Sequence, residues 1–140
     1  MLPLININIK VNIELNSMAS VYCSGARLTI RITDDGYQSI KNLCEVHRHQ
    51  IIKELARANA LLKTFAENGR LRSPDQFRNE GDKFWAIRAG TIRCYGWYEA
   101  DGSFVISHVI SKRHDKLEDG DKRRMIKNQA EFRSENGEAK

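Results

Sequence analysis

A chain of 140 residues with a hydrophobic fraction of 41% and a charged fraction of 29% is typical of one globular domain with a single core. No apolar run approaches the roughly 20 residues that a membrane helix needs, and Lys10 with several asparagines interrupts any signal-peptide core, so we expect a cytoplasmic protein without a membrane partner. The formal net charge of +5 favours an anionic partner.

The cysteines and histidines predict neither a disulfide scaffold nor a metal site. Cys23, Cys44 and Cys94 are odd in number and widely spaced, so we expect small residues that are buried or half-buried. His47 and His49 are two positions apart, and side chains at this spacing point in different directions on a helix. We therefore expect no metal ion and no cofactor.

The chain begins with a strictly alternating segment. In LININIKVNIEL, residues 4–15, Ile, Val and Leu alternate with Asn, Lys and Glu, which predicts a strand. The break that follows contains Met18, which could itself be a start codon. Two interpretations stay open: the segment is an extra edge strand, or it is translated upstream sequence with little order. Residues 1–25 are therefore assigned to an N-terminal extension, 26–134 to a single domain and 135–140 to a frayed tail.

A second strand and a helical segment follow. RLTIRIT, residues 27–33, alternates again, and the stretch after it supplies capping side chains from Thr33 to Gly36. Residues 37–68 contain no Pro or Gly, which predicts one long helix, or two with a break near 47–50. Gly69 provides the left-handed C-cap. The predicted core stripe of this segment is Ile40, Cys44, His47, Ile51, Leu55, Ala58, Leu62 and Phe65.

The second half of the chain alternates at strand period. After a loop-like stretch, 70–82, three strands are predicted at 83–89, 91–99 and 103–111, joined by turns at Ala89-Gly90 and Asp101-Gly102. A turn and a short amphipathic helix follow, with Asp121 as a plausible cap. The order β-α(α)-β-β-β-α predicts an α+β fold with an antiparallel sheet and the helical segment packed on one face.

Hairpin register sorts these strands into two faces, because opposed residues point the same way. Two-residue turns place Arg88 opposite Thr91, Arg93 opposite Ile110 and Trp97 opposite Ile106, and a one-residue bulge would move residues of the third strand to the other face. The core face then holds Trp85, Ile87, Ile92, Cys94, Tyr98, Val105 and Val109. The opposite face holds Arg88, Arg93, Tyr95, Trp97, His108 and Lys112, with Phe84, Ile106 and Ile110 between them.

Two interpretations of this opposite face remain open on periodicity alone. One is a solvated sheet face with incidental Arg and Tyr side chains. The other is an RNA site, in which arginine forks bind phosphates bidentately and aromatic rings stack on unpaired bases.

The stretch FWAIRAGTIRCYGWYE, residues 84–99, together with the strand and helices before it, resembles the RelE/ParE superfamily of toxins, and most closely its HigB-like, phage-derived branch. The similarity lies in an arginine before a tight glycine turn, a second arginine just after it, and an aromatic strand. ISKRHDKL, residues 110–117, ends the third strand in the basic pair Lys112 and Arg113, in place of the more usual lysine pair. A short polar helix follows, and the resemblance covers roughly residues 27–133.

The resemblance implies the toxin component of a type II toxin–antitoxin system, acting as a metal-independent endoribonuclease on ribosome-bound mRNA. The partners implied are mRNA, the ribosome and a cognate antitoxin encoded nearby. The ParE branch implies a gyrase inhibitor instead, and a catalytically silent, phage-encoded nucleic-acid-binding module is a third possibility, because fold alone does not separate these activities.

By position in the motif, Arg88 and Arg93 would hold the scissile phosphate and stabilise transition-state charge, while Lys112, Arg113 and His114 would add phosphate contacts. In the implied reaction, the RNA 2′-hydroxyl attacks the adjacent phosphate and leaves a cyclic phosphate and a 5′-hydroxyl. This reaction needs a proton acceptor and a proton donor. The candidates are His108, His114, Tyr95 and Lys112. Trp97 is expected either to stack on a base or to cover the sheet edge.

Overall fold

The computed structural model describes residues 20–112 and 117–136, which form an α+β fold. Their elements are β1 (Val21–Ser24), β2 (Thr29–Ile32), α1 (Asp34–Glu45), α2 (His49–Asn68), β3 (Phe77–Gly81), β4 (Phe84–Ala89), β5 (Ile92–Tyr98), β6 (Phe104–Ser111) and α3 (Asp119–Glu135). Within these residues, no helix is both long and apolar enough to cross a membrane. The strand expected at 4–15 lies outside the described residues.

The strands form one six-stranded sheet in the order β1-β2-β6-β5-β4-β3. The sheet is mixed, because β2 runs parallel to β6 while every other neighbouring pair is antiparallel. The prediction of a purely antiparallel sheet was therefore wrong at this pair. Parallel neighbours need a long connection, and α1, α2 and the strands β3 to β5 supply it between β2 and β6.

The two edge strands were not predicted from the sequence. β3 lies in the segment expected to be a loop, since its residues Arg78, Asn79 and Glu80 interrupt any apolar alternation. Its Phe77 side chain is buried and stacks on Trp85, with ring centroids 4.5 Å apart. β1 pairs with β2, so residues 21–24, which precede the domain boundary expected at 26, belong to the sheet.

The helical segment is two helices, which decides between the two alternatives left open. Thr33 caps α1 by accepting a hydrogen bond from the Gly36 N–H at 2.8 Å. The chain turns between α1 and α2 with His47 at a φ of 59°, and His47 is exposed while the other members of the predicted stripe are buried. α2 ends at Gly69, whose φ of 82° is the left-handed C-cap that was predicted.

The first core lies between the sheet and the two helices α1 and α2. It excludes water from apolar side chains of both layers, and each fully buried Leu, Ile or Phe contributes about 1.5–3 kcal/mol. Its largest fully buried members are Ile30, Ile32, Leu62, Phe65, Ile87, Ile92, Phe104 and Ile106. Helix packing on one face of the sheet was predicted.

A second core lies on the opposite face of the sheet, beneath α3. This helix spans 17 residues and begins at Asp119 with Glu118 at the cap position, so it starts two residues before the expected cap Asp121. Its side chains Met125 and Phe132 are buried against the sheet. The other members of this core are Phe84, Ala86, Tyr95, Trp97 and Val105. The face expected to be open is therefore covered over part of its area.

A β-bulge in β6 assigns several residues to faces other than those predicted. Tyr95 pairs with His108 as predicted, but Gly96 pairs with Ile106, so Ser107 is an extra residue in β6. One extra residue exchanges the two faces of a strand. Val105, expected in the helix-covered core, therefore packs under α3, and Ile106, expected on the opposite face, packs in the first core. Trp97 accordingly pairs with Val105 rather than Ile106.

The first hairpin is shifted by two residues from the predicted register. Ala89 pairs with Ile92, so the turn is Gly90-Thr91 rather than Ala89-Gly90, and Arg88 stands opposite Arg93 instead of Thr91. A shift of two residues preserves the face of every side chain. Arg88 and Arg93 therefore share a face, as the sequence predicted.

Candidate nucleic-acid interface

Arg88 on β4 and Arg93 on β5 form a directly opposed pair beside the turn that joins their strands. Arg88 is half-buried, and its Nη1 donates to the Pro74 carbonyl at 3.1 Å. Arg93 is 4% exposed, and its Nη1 donates to the carbonyls of Gly90 at 2.7 Å and Ile92 at 3.0 Å. The turn itself therefore orients the Arg93 guanidinium.

The Gly90-Thr91 turn rests on a buried carboxylate of α2. Glu54 is 4% exposed, and it accepts hydrogen bonds from Thr91 Oγ1 at 2.6 Å and Gln50 Nε2 at 2.8 Å. Burial acts to raise the pKa of Glu54, but the hydrogen bonds from Thr91 and Gln50 outweigh it and leave the pKa below its usual value. Gly90 has a φ of 60°, and a Cβ there would collide with the Glu54 side chain. This role was not predicted, because Glu54 is simply adjacent to the apolar stripe in the sequence.

Lys112 extends the cationic surface from the end of β6. Its backbone N–H donates to the Thr91 carbonyl at 2.8 Å, which ties it to the same turn. Its Nζ donates to the Tyr95 hydroxyl at 3.3 Å. Burial, followed by the negative charges of Asp121 and Glu80, raises the pKa of Tyr95, so the hydroxyl stays protonated.

Glu80 is a carboxylate among these cations that the sequence did not reveal. Its side chain is 5% exposed, and its Oε2 lies 4.0 Å from Arg78 Nε. Burial raises the pKa of Glu80, while the charges of Arg78, Lys112, Arg88 and Arg93 act in the opposite direction without cancelling the effect. It was missed because β3 has the composition of a loop, so no strand register was predicted that would place the Glu80 side chain beside Arg88 and Arg93.

His108 is an interior residue rather than a surface one. The side chain is fully buried, its Nδ1 hydrogen-bonds to Ser107 Oγ at 2.8 Å, and its Nε2 lies 3.1 Å from Asp121 Oδ1. It therefore joins β6 to α3. Tyr95 lies beside it, with ring centroids 5.3 Å apart.

The aromatic residues predicted to stack on bases are also covered. Trp97 is 1% exposed, its Nε1 donates to Glu99 Oε2, and its ring lies 6.1 Å from that of Phe132 on α3. Tyr95 is equally buried. With α3 in place, neither ring is presented to an unpaired base, and both stabilise the second core.

Other residues named in the sequence analysis are two basic residues after β6 and the three cysteines. Arg113 and His114 lie outside the described residues. Cys23 is half-buried and Cys44 and Cys94 are buried, all three as thiols, in keeping with their spacing. In 20–112 and 117–136, no group of three or more His, Cys, Asp or Glu side chains is placed to hold a metal ion.

The geometry defines a small α+β domain with a cationic site at one end of its sheet. No family model and no curated protein matches the chain. The functional assignment therefore depends on the chemistry of Arg88, Arg93, Lys112, Tyr95 and Glu80. Guanidinium and ammonium groups can bind a phosphodiester, and a neighbouring carboxylate of raised pKa can accept a proton from an adjacent hydroxyl group.

Proposed function

We propose that this protein is a toxin of the RelE/ParE superfamily, from its HigB-like branch, that cleaves ribosome-bound mRNA without a metal ion. The observation that carries the proposal is the direct pairing of Arg88 with Arg93 across the Gly90-Thr91 turn. The described elements also support it, because they contain the strand, two helices, three-stranded meander and terminal helix on which the resemblance rests, with β1 and β3 as additional edge strands.

The paired arginines would bind the scissile phosphate and stabilise the charge that develops on it. Arg93 suits this role because its Nη1 is held by the Gly90 and Ile92 carbonyls, so little reorganisation is needed when the phosphate becomes pentavalent. Lys112 adds a third positive charge from β6. A guanidinium pair of this kind can form bidentate hydrogen bonds to phosphate oxygens.

Two further groups would move the protons. Glu80 would accept the 2′-hydroxyl proton as the 2′-oxygen bonds to phosphorus, since its raised pKa makes it a stronger base than an ordinary carboxylate. The bond from phosphorus to the 5′-oxygen breaks, and Lys112 would donate a proton to that oxygen. Tyr95 would orient Lys112 through the hydrogen bond between the hydroxyl and Nζ.

One observation favours a second candidate, a nucleic-acid-binding module without catalysis. His108, the described histidine of the predicted catalytic set, is fully buried and hydrogen-bonded to Ser107 and Asp121, so it does not face the paired arginines as a solvent-accessible acid or base. Such a module would bind RNA in a salt-dependent way and leave it intact.

Inducible expression with mapping of mRNA 5′ ends tests the proposal. Wild type and Arg123→Ala, which removes an exposed arginine of α3, should arrest growth and cut mRNA in phase with ribosomes. Arg93→Ala should do neither, with its fold checked by circular dichroism. Co-expression of a small neighbouring open reading frame, the expected antitoxin, should relieve the arrest.

Three outcomes would contradict this assignment. Unchanged growth and intact mRNA, with folded wild-type protein, would exclude the proposed nuclease activity. RNA that is bound but uncut would then support the nucleic-acid-binding module without catalysis. DNA breaks with SOS induction would indicate a gyrase inhibitor. Equal toxicity of Arg93→Ala and wild type would exclude Arg93 from the active site.

A further inference from the structure

A groove lined by arginines runs along α2 away from the paired-arginine site. It consists of two adjoining cavities of about 380 and 780 Å³, which share Thr64, Arg72 and Gln76 in their walls. The smaller cavity reaches the Gly90 turn. We call this surface the arginine groove and define it by Arg27, Arg57, Arg70, Arg72 and Arg88.

The arginines of the groove come from parts of the chain that are distant in sequence. Arg57 lies on α2, Arg88 lies on β4, Arg70 and Arg72 lie in the connection from α2 to β3, and Arg27 lies between β1 and β2. The fold therefore assembles a positive surface that no run of basic residues announces. A surface of this kind concentrates anions and raises their rate of association.

Positive charge exceeds negative charge along the groove walls. Five arginines are accompanied by two carboxylates, Glu67 and Asp75. Over the described ranges 20–112 and 117–136, no ion pair joins Arg27, Arg57 or Arg72 to a carboxylate, and the same holds for Arg70. These guanidinium groups are exposed and can donate to a ligand without first breaking an ion pair.

The wall between the two cavities is preorganised. Arg72 N–H donates to Gln76 Oε1 at 3.1 Å, and Gln76 N–H donates back to the Arg72 carbonyl at 2.8 Å. The Arg88 guanidinium fastens the same loop through the Pro74 carbonyl at 3.1 Å. Binding to this wall would therefore need little ordering of the loop.

The lining is suited to a sugar–phosphate backbone rather than to bases. Its polar groups are guanidinium, amide and hydroxyl groups, including Thr64, Asn68 and Gln76, and its described lining residues include no aromatic ring. Arginine forks and neutral donors bind phosphate oxygens and ribose hydroxyls, whereas base recognition in single strands relies on stacking.

Arg88 belongs both to the arginine groove and to the pair with Arg93, so the two surfaces adjoin at this residue. We propose that the arginine groove binds the phosphodiester backbone of the RNA strand next to the phosphate held by Arg88 and Arg93. The segment of α2 from 57 to 68 spans about 17 Å at about 1.5 Å per residue, which is enough for several nucleotides. The identification of this strand as RNA rests on the proposed function.

Binding of an uncleavable RNA tests the groove separately from cleavage. The probe is a fluorescein-labelled 20-mer of mixed sequence in which every ribose carries a 2′-O-methyl group, and Kd is measured by fluorescence anisotropy over a series of salt concentrations. The variants are Arg57→Gln/Arg72→Gln and Arg27→Gln/Arg70→Gln. The matched control, Lys41→Gln/Arg123→Gln, removes two exposed cations outside the groove. Thermal unfolding of each variant checks that the fold is retained.

Each groove variant should weaken binding and reduce the slope of log K against log salt by about 1.4, at about 0.7 per lost phosphate contact. The control should match wild type. Unchanged slopes in both groove variants would overturn the proposal, even if wild type cuts mRNA in cells. Reduced slopes without mRNA cleavage would support the groove and remove the nuclease. If polyglutamate displaced the probe at lower concentration than unlabelled RNA, the groove would instead bind an acidic protein segment and the proposal would fail.

Discussion

The Glu54 carboxylate on α2 accepts a hydrogen bond of 2.6 Å from Thr91 Oγ1, in the turn between the paired arginines. The adjacent Gly90 carbonyl accepts a hydrogen bond from Arg93. A buried residue of the helical layer therefore sets the position of a cation on the other side of the sheet. This relationship makes the turn a sensitive place to test the candidate site.

Gly90→Ala should lower the free energy of unfolding by about 3 kcal/mol. The positive φ costs an L-residue about 1–2 kcal/mol, and the new Cβ displaces Glu54, whose charge-assisted hydrogen bonds are worth about 1.5–3 kcal/mol. Gly102→Ala is the matched control, because Gly102 has a φ of 91° and open space around its Cβ position. Urea denaturation measures both, and equal losses would show that Glu54 does not restrain the turn.

Met125→Ala should destabilise the protein by about 2–5 kcal/mol, the range for truncating a buried Leu, Ile or Met. Met125 is fully buried between α3 and the sheet, whereas its neighbour Ile126 on the same helix is 52% exposed. Ile126→Ala should therefore change the free energy of unfolding by less than about 0.5 kcal/mol. If both substitutions had the same small effect, α3 would not cover a core in solution.

Asp35→Asn should weaken the attachment of α3 at neutral pH but not in acid. Arg124 donates to Asp35 through Nε at 2.7 Å and Nη2 at 2.8 Å, and this hydrogen bonding, aided by Asn128 against the effect of burial, lowers the pKa of Asp35. A carboxyl group whose pKa is lowered in the folded state stabilises the protein above its unfolded-state pKa of about 3.9. This stabilisation is lost as the pH falls through the folded-state pKa.

Urea denaturation at pH 7 and pH 3 measures this dependence. Wild type should exceed Asp35→Asn in stability at pH 7, and the difference should shrink once the pH is below about 4. Asp34→Asn is the control, since Asp34 is exposed in the same turn of α1. A difference that does not change with pH would show that the charge of Asp35 is not what attaches α3.

Glu80→Gln should stabilise the protein at neutral pH and abolish its cleavage activity. The pKa of Glu80 is raised in the folded state, so Glu80 favours folding below its unfolded-state pKa of about 4.3. This contribution to stability is lost as the pH rises through the folded-state pKa. The amide resembles the protonated acid, so the variant should be more stable than wild type at pH 8 and equal to it near pH 4.

The cleavage assay decides whether Glu80 accepts the proton. Wild-type cleavage should fall in acid as Glu80 is protonated, and Glu80→Gln should lose both the rate and this limb of the pH profile. Glu131→Gln, an exposed position on α3, is the control. If Glu80→Gln kept the wild-type pH profile of cleavage, proton transfer would belong to another group.

Local patterns were sufficient for much of the fold. Alternation in β4, β5 and β6, the Thr33 cap and the left-handed Gly69 each depend on neighbours within a few residues, and each was predicted. Edge strand β3 was missed, because Arg78, Asn79 and Glu80 are consecutive polar residues and lack the apolar alternation that identifies a strand. Parallel pairing of β2 with β6 was also missed, since it joins segments more than 70 residues apart.

The candidate site shows the same division. Amino-acid order alone placed Arg88 and Arg93 on one face of a hairpin, because side chains alternate with period two. Long-range packing set everything around them: the bulge at Ser107 turned Val105 towards α3, that helix covered Tyr95, Trp97 and His108, and Glu54 came to support the turn. These contacts depend on where distant elements meet in space, and no local periodicity in a single chain encodes that.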